Sequence, residues 1–308
     1  MSTEVKVSVC IFTFNQEKYI RECLESIVEQ KTNFNFEVIV HDDASTDKTA
    51  EIIREFQKTY PDLIFPIFQE KNLYSINMHK PFISGWKAAK GKYIAICEGD
   101  DYWIDEYKLQ KQYDLINQSD HDFCFTNAYK ESTSGKRKVY FKKRNQTNTY
   151  SLSEIIRIGG GGMATASILI KSDILKNLPE WFYQAPVGDY FIQILGSCKN
   201  GALYIDDITS VYRTGVEGSW SGVRKNMTES EIKNEAYAYL TVFNQLRDNT
   251  ISHEDANFAI ARELYIATQL CLKLKYTKLA KELIELSWSY YKFITFRHAV
   301  YNFARFLW

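Results

Sequence analysis

Between Val5 and Phe68 the chain alternates apolar, β-branched runs with amphipathic ones, and this alternation limits its possible folds more than any other feature. Residues 5–13 read as a first strand. Asn15 is placed to cap a helix running to about Gln30, with Ile20, Cys23, Leu24, Ile27 and Val28 recurring at helical spacing as one buried stripe. After a return loop at residues 33–35, residues 36–40 give a second strand. A second helix over residues 48–60 turns Ile52, Ile53 and Phe56 inward and stops at Pro61, and residues 63–68 form a third strand. Strand, helix, strand, helix, strand predicts a parallel sheet with right-handed crossovers. The loops that follow such strands share one edge of the sheet, where ligands bind. Thr13 to Asn15, Asp42 with Asp43, Asn72, and Glu98 to Asp101 are therefore expected around one crevice.

The last of these loops carries the densest charge. Residues 91–96 read as a short buried strand, and Cys97-Glu98-Gly99-Asp100-Asp101-Tyr102-Trp103 follows. Three carboxylates in four positions repel one another unless a cation, a proton or a donor neutralises them. Hard divalent ions take one or two carboxylates together with phosphate oxygens. A metal–diphosphate site is one reading, and a polar turn opening a solvated helix N-terminus is the other.

Farther along, residues 80–90 suggest a helix closed by Gly91, and residues 104–118 another with Leu109, Tyr113 and Ile116 on one side. Residues 123–129 read as a strand, and 130–149 as a polar hairpin or loop. A short helix at 151–157 precedes four glycines, Gly159 to Gly162, which allow close backbone approach or a flexible turn but form no phosphate loop. Residues 164–170 are strand-like, 173–178 a short helix, and 202–212 an edge-like strand pair. Asp189 falls in the first turn of a helix over 186–198, as a dipole-stabilising acid or a general base. From Thr228 onward neither Pro nor Gly occurs, and three amphipathic stripes indicate a helical appendage. The last stretch, Ser287 to Trp308, holds nine aromatics, Lys292, Arg297 and Arg305, and no acid. Such a helix suits an anionic membrane surface, or packing on the core or a second chain as a homodimer contact.

Bulk properties exclude several classes. Lys plus Arg equals Asp plus Glu at 38 each, so the whole molecule is not built to bind a polyanion, and no nucleic-acid partner is expected. Six scattered cysteines argue against a zinc site or disulfide framework and for a reducing, cytoplasmic compartment. No apolar run is long enough for a transmembrane helix, and the N-terminus lacks a signal-peptide layout.

With these loops placed, the chain resembles a family 2 glycosyltransferase of the GT-A fold, of the bacterial surface-polysaccharide type. The likeness covers about residues 7–220. It rests on Val7-Ser8-Val9-Cys10-Ile11-Phe12-Thr13-Phe14-Asn15, Cys23-Leu24-Glu25-Ser26-Ile27, Glu37-Val38-Ile39-Val40-His41-Asp42-Asp43-Ala44-Ser45, Gly91-Lys92-Tyr93-Ile94 and Glu98-Gly99-Asp100-Asp101. The resemblance implies an α/β Rossmann-like mixed sheet flanked by helices. The transferase domain would span residues 1–222, with a donor half to about 105 and an acceptor half over 106–222, followed by the helical region 223–308. It places Thr13, Asn15, Glu17, Asp42, Asp43, Asn72, Glu98 and Gly99 around the nucleotide and makes Asp100 the ligand of Mn²⁺ or Mg²⁺. It gives Asp189 the base role and puts Asp101, Tyr102, Trp103, Arg213 and Trp220 at the acceptor side or closing loop. Gly215 stands near a position where many relatives carry a metal-binding His, so either the metal has fewer protein ligands or Arg213 neutralises diphosphate.

The implied reaction is inverting transfer of a sugar from a nucleotide sugar, UDP-linked by expectation, to a glycan or lipid-linked acceptor. Surface polysaccharide such as lipopolysaccharide O-antigen, assembled at the inner face of the cytoplasmic membrane, is the implied setting. A nucleotidyltransferase would instead release pyrophosphate, and a non-catalytic nucleotide- or glycan-binding module would not depend on Asp189. A dinucleotide oxidoreductase is disfavoured, because Thr13-Phe14-Asn15-Gln16 lacks Gly-x-Gly-x-x-Gly.

Overall fold

A computed structural model describes residues 4–141, 148–216, 222 and 224–305. Two compact units emerge. The first comprises Met1–Ile155, Gly160–Leu178 and Ile192–Val216, and the second Ile156–Gly159, Pro179–Phe191 and Glu217–Trp308. The second unit thus takes in more than the C-terminal tail, including the segment that ends in Asp189, Tyr190 and Phe191.

The expected alternation holds in the first unit. Strands β1 (Val5–Thr13), β2 (Asn35–Asp42), β3 (Ile64–Phe68) and β4 (Tyr93–Glu98) run parallel, joined by helices α1 (Ile20–Val28), α2 (Thr49–Thr59) and α3 (Lys80–Ala88). The strands are apolar on both faces because helices need cover on each side. Val7, Val9, Ile11, Val38, Val40, Ala95 and Cys97 meet Ile20, Leu24 and Ile27 of α1 and Ile53 of α2 in one core. Gly91, between α3 and β4, presses on β1, where an added Cβ would lie 2.7 Å from the Val7 carbonyl carbon. Its N–H donates to Ser8 Oγ at 2.8 Å, and Ser8 Oγ donates to the buried Glu37 at 2.7 Å.

The sheet continues through β5 (Tyr102–Trp103), β6 (Phe123–Ser132), β7 (Arg137–Val139), β8 (Asn148–Tyr150), β9 (Ile168–Lys171) and β10 (Ala202–Thr214). Its order among the described residues is β3-β2-β1-β4-β9-β6-β10-β5, with β7 on β6 and β8 on β10. Strand β9 is antiparallel to both β4 and β6, so the sheet is mixed. Residues 202–212, expected as an edge-like pair, instead form one 13-residue strand parallel to β6. Its register shifts between Ile205 and Ser210, and this irregularity bends one strand where the sequence suggested a turn. Helices α4 (Lys108–Asn117), α5 (Leu152–Ile158), α6 (Ser172–Lys176) and α7 (Asp189–Ser197) lie near their expected places.

The second unit carries helices α8 (Glu229–Asn249), α9 (His253–Lys273), α10 (Thr277–Tyr290) and α11 (Phe296–Ala304). Three of them start on side-chain caps. Thr228 and Glu231 form a capping box, Ser252 accepts from Asp255 N–H, and Thr295 accepts from His298 N–H. The stretch from Ser287 to Trp308 is not one helix. The chain breaks at residues 291–295, where Phe293 adopts φ +57°, and α11 starts afresh.

Candidate functional site at the acidic edge of the parallel strands

The carboxyl ends of β1, β2 and β4 meet at one sheet edge. Asp43 N–H donates to the Thr13 carbonyl at 3.0 Å, and Gly99 N–H donates to the Phe12 carbonyl at 2.9 Å. These bonds extend the ladder past the strands and bring the Thr13, Asp42–Asp43 and Glu98–Asp100 turns together. Gly99 is required here, because a Cβ would lie 2.8 Å from Thr13 Cβ and Oγ1.

Several side chains expected around a nucleotide are engaged in holding the loops. Asn15, with φ +52°, is no helix cap; Tyr19 precedes α1, and Asn15 Oδ1 accepts from Thr46 N–H at 2.7 Å. Glu17 accepts from Lys48 N–H, and Glu17 N–H donates to Asp47, both at 3.0 Å. The buried carboxylate of Asp43 accepts from Leu73 N–H at 2.8 Å and Tyr74 N–H at 2.9 Å, which fastens the 72–75 turn. Asn72 closes that turn by accepting from Ser75 N–H at 2.7 Å. Asp42 is buried and accepts from Ser45 Oγ, and burial raises its carboxyl above the usual range. Sequence reasoning missed Gln16, which accepts from Thr13 Oγ1 at 2.8 Å and favours the carboxylate form of Asp100. The signal was the Thr13–Gln16 spacing of three, which lets two side chains meet across one tight turn.

Asp100 is half-buried. Burial raises its pKa, while Arg213 and Gln16 pull it down. Asp101 is wholly buried. One of its oxygens accepts from Arg213 N–H at 2.9 Å, and the other has no hydrogen-bond partner among the described residues. Burial first, then the Asp100 and Glu98 charges, raise the Asp101 carboxyl well above its ordinary range.

Arg213 fastens this turn from within the sheet. Nη1 donates to the Asp100 carbonyl at 2.6 Å, Nη2 pairs with Glu22, and Nε lies 3.9 Å from Glu131. Its guanidinium also lies 4.3 Å from the Tyr102 ring centroid. A guanidinium so engaged serves the loop before any diphosphate. Tyr102 is buried, and its hydroxyl accepts from Arg137 at 2.6 Å. Trp103, expected on the acceptor side, is a core residue: it is 4% exposed, its Nε1 donates to the Ala166 carbonyl at 3.0 Å, and Lys108 Nζ sits 4.1 Å from its ring centroid. A ring covered in this way offers no face for a sugar. Trp220 lies outside the described residues.

The model of the glycosyl transferase family 2 matches residues 8–178, more than half of the chain and the whole of this edge. The chain belongs to that family. An uncharacterized protein of Mycobacterium tuberculosis is 46% identical over 220 residues, 70% of this chain and 60% of the relative. The match therefore spans less than two thirds of that relative's length. The abequosyltransferase RfbV of Salmonella typhimurium is 27% identical over 179 residues, 54% of this chain and 53% of that protein. Among solved structures, S. aureus TarS 1-349 in complex with UDP-GlcNAc aligns with a TM-score of 0.67 at 18% identity, covering 98% of this chain and 89% of that one. The mannosyltransferase PcManGT of Pyrobaculum calidifontis, in complex with GDP-Man and Mn²⁺, aligns at 0.58 and 14%, covering 99% and 85%. These likenesses show a shared GT-A fold, a mixed sheet flanked by helices.

Among the described residues no group of three or more metal-ligating side chains converges. The acidic turn still fits a hard divalent ion, since one or two carboxylates, here Asp100 and Glu98, are what such an ion takes beside phosphate oxygens. In the second unit, Asp189 opens α7 half-buried and accepts from Tyr190 N–H at 2.7 Å. Burial first, with the charge of Glu263, pushes its carboxyl up to about 6. Tyr190 is anchored by donating to the Ile156 carbonyl at 2.8 Å, and Arg262 donates to the same carbonyl at 2.7 Å.

Proposed function

We propose that this family 2 member transfers one sugar, with inversion, from a nucleotide sugar of the UDP class to a glycan or lipid-linked acceptor in surface-polysaccharide synthesis. The observation that carries this reading is the acidic turn at the edge of the parallel strands. There Asp100 stays half-buried, with Gln16 and Arg213 favouring its carboxylate form, whereas both oxygens of Asp43 accept from the Leu73 and Tyr74 N–H groups. Asp100, with Glu98, would hold Mn²⁺ or Mg²⁺, whose charge supports the diphosphate as the bond to the anomeric carbon breaks. The Thr13, Asp42 and Gly99 turns shape the nucleoside end, with Asn15, Glu17, Asp43 and Asn72 fixing those turns from behind. Asp189, ionised above about pH 6, accepts the acceptor hydroxyl proton. The acceptor oxygen bonds to the anomeric carbon from the face opposite the diphosphate, and the nucleoside diphosphate leaves. A carboxyl held near neutrality is well matched to that proton transfer.

Two named proteins support a nucleotide-sugar donor, and the first of them the UDP class. The TarS structure holds UDP-GlcNAc, and the PcManGT structure holds GDP-Man with Mn²⁺. Among the described residues no helix is long and apolar enough to cross a membrane. On this reading a lipid-linked acceptor is met at a bilayer surface.

The test is a panel of nucleotide sugars with purified protein, with and without Mn²⁺, beside Asp100→Ala. The expected result is metal-dependent binding of one UDP-sugar and release of UDP, both reduced at least about 100-fold in Asp100→Ala. Release of pyrophosphate would assign a nucleotidyltransferase instead. Binding without turnover, unaffected by Asp189→Asn, would assign a binding module.

A further inference from the structure

Helix α11 presents two faces of opposite character. His298, Ala299 and Asn302 are buried, and His298 is locked by its ring nitrogens. Ser287 Oγ donates to the Ala261 carbonyl at 2.6 Å, so His298 Nε2 is the donor in its 2.9 Å bond to Ser287 Oγ. Its Nδ1 is then the acceptor for Ile294 N–H at 3.4 Å. The helix is thus docked by a neutral, fixed imidazole, and its outer face is a feature of the folded chain.

That outer face is apolar. Phe296, Val300 and Phe303 recur at i, i+4 and i+7 and are 83%, 41% and 66% exposed. Phe293, just before the helix, is 66% exposed. Among the described residues, these three phenylalanines are the most exposed large apolar side chains. Two of them pack on Trp288, whose ring centroid lies 5.0 Å from that of Phe293 and 5.4 Å from that of Phe303. Phe293 holds a positive φ of 57°, a conformation that bulky residues rarely adopt and that here brings its ring onto Trp288. Three exposed phenylalanines and a valine make a patch of several hundred Å², above what scattered surface residues give.

We propose that Phe293, Phe296, Val300 and Phe303 form a docking surface for an anionic lipid bilayer, entered by the rings and flanked by Lys292 and Arg297. Both basic side chains are exposed, and the sequence from Ser287 to Trp308 contains no acid. Arg305 lies 3.9 Å from Glu285, an acid that precedes this stretch. Nine helical residues extend about 14 Å, too short to span a bilayer, so the helix lies in the headgroup plane with its apolar face down. A second copy of the chain fits less well. In a two-fold contact between these faces, Lys292 and Arg297 would find no acid in the same segment of the other copy.

This inference deepens the membrane side of the proposed function. Its test needs neither donor nor metal, so it can fail while the transfer reading stands. The full chain is floated with vesicles of phosphatidylcholine alone and of phosphatidylcholine with phosphatidylglycerol. Wild type is expected to float with the anionic vesicles and to be released by salt. F293S/F296S/F303S should bind at least tenfold more weakly while its circular dichroism spectrum stays that of the folded chain. K292E/R297E should lose the preference for anionic lipid while keeping residual binding. Should the triple variant not fold, Phe296→Ser, at the most exposed ring, carries the same comparison. Equal flotation of wild type and the Phe variants overturns the proposal. So does a wild-type dimer, detected by light scattering, that the triple variant abolishes while no vesicle binding occurs.

Discussion

Lys108 should act as a measurable destabilising charge beneath the acidic turn. It is wholly buried, its Nζ donates to Gln112 Oε1 at 2.7 Å, and it sits over Trp103, the second residue after Asp101. Burial lowers its pKa from 10.5 to about 7. At about 1.4 kcal/mol per pH unit that fall corresponds to roughly 5 kcal/mol of cost to the fold at low pH. The sign follows from proton counts. Between about pH 7 and 10.5 the unfolded chain holds the proton and the folded chain does not, so this group makes stability rise with pH there. Below about pH 7 both states are protonated, and the cost is complete. Lys108→Met keeps the length and removes the charge. It leaves Gln112 Oε1 without its donor, at roughly 1–3 kcal/mol, while Gln112 Nε2 still reaches the Ser167 carbonyl. The variant is therefore expected to be more stable than wild type by about 2 kcal/mol at pH 7, with the advantage shrinking or reversing by pH 10. Urea unfolding of both proteins from pH 6 to 10 measures the difference, in which other titrating groups cancel. Parallel stability–pH curves, or a variant weaker at every pH, would show that Trp103 and Gln112 hold a fully charged ammonium, and the argument would be wrong.

Two further outcomes follow from the site. Gly99→Ala puts a methyl 2.8 Å from Thr13, so the acidic turn must shift. UDP-sugar affinity by calorimetry should fall about tenfold or more, for an overpacking cost of about 1–3 kcal/mol in the melting curve. Asp189→Asn should lower kcat by about 10²–10⁴ while donor binding is kept. In wild type the acid limb of kcat/KM should bend near pH 6, because the proposed base would work ionised and burial raises its pKa to about 6. A bend near pH 4 would remove the desolvated setting assigned to Asp189.

What the sequence made legible is what backbone periodicity controls. The β–α alternation through Phe68, the parallel edge and the place of each polar turn follow from apolar spacing, and the structure has them there. Side-chain direction was not legible, because it depends on partners far along the chain. Trp103 reads as a surface aromatic until Ala166, 63 residues on, supplies a carbonyl for its indole N–H. Strand β10 reads as two pieces because Asp206 and Asp207 interrupt its apolar pattern, yet a register shift carries the strand past them. The tail reads as one amphipathic helix because nothing in it is a strong breaker. Only the left-handed turn at Phe293 and the Thr295 cap divide it.

The acidic residues show how one side chain can be read for a ligand and also serve the loop that carries it. Asp42, Asp43, Asn15 and Glu17 do gather at one edge of the sheet, as their spacing implies. Asp43 gives its two oxygens to Leu73 and Tyr74, Asn15 accepts from Thr46, and Glu17 accepts from Lys48. Loops at the end of a parallel sheet expose backbone N–H groups that water would otherwise satisfy, and short acidic or amide side chains are the groups that can accept from them. The same chemistry that makes a carboxylate a good ligand for ribose or metal therefore makes it a good clasp for a loop. A loop clasped in advance loses less freedom when a ligand arrives, so on the proposed reading these residues would contribute to donor binding through preorganisation. Removing the Asp43 clasp should then weaken donor affinity and loosen residues 72–75 together. A ligand contact alone would weaken affinity and leave that turn as protected from hydrogen exchange as before.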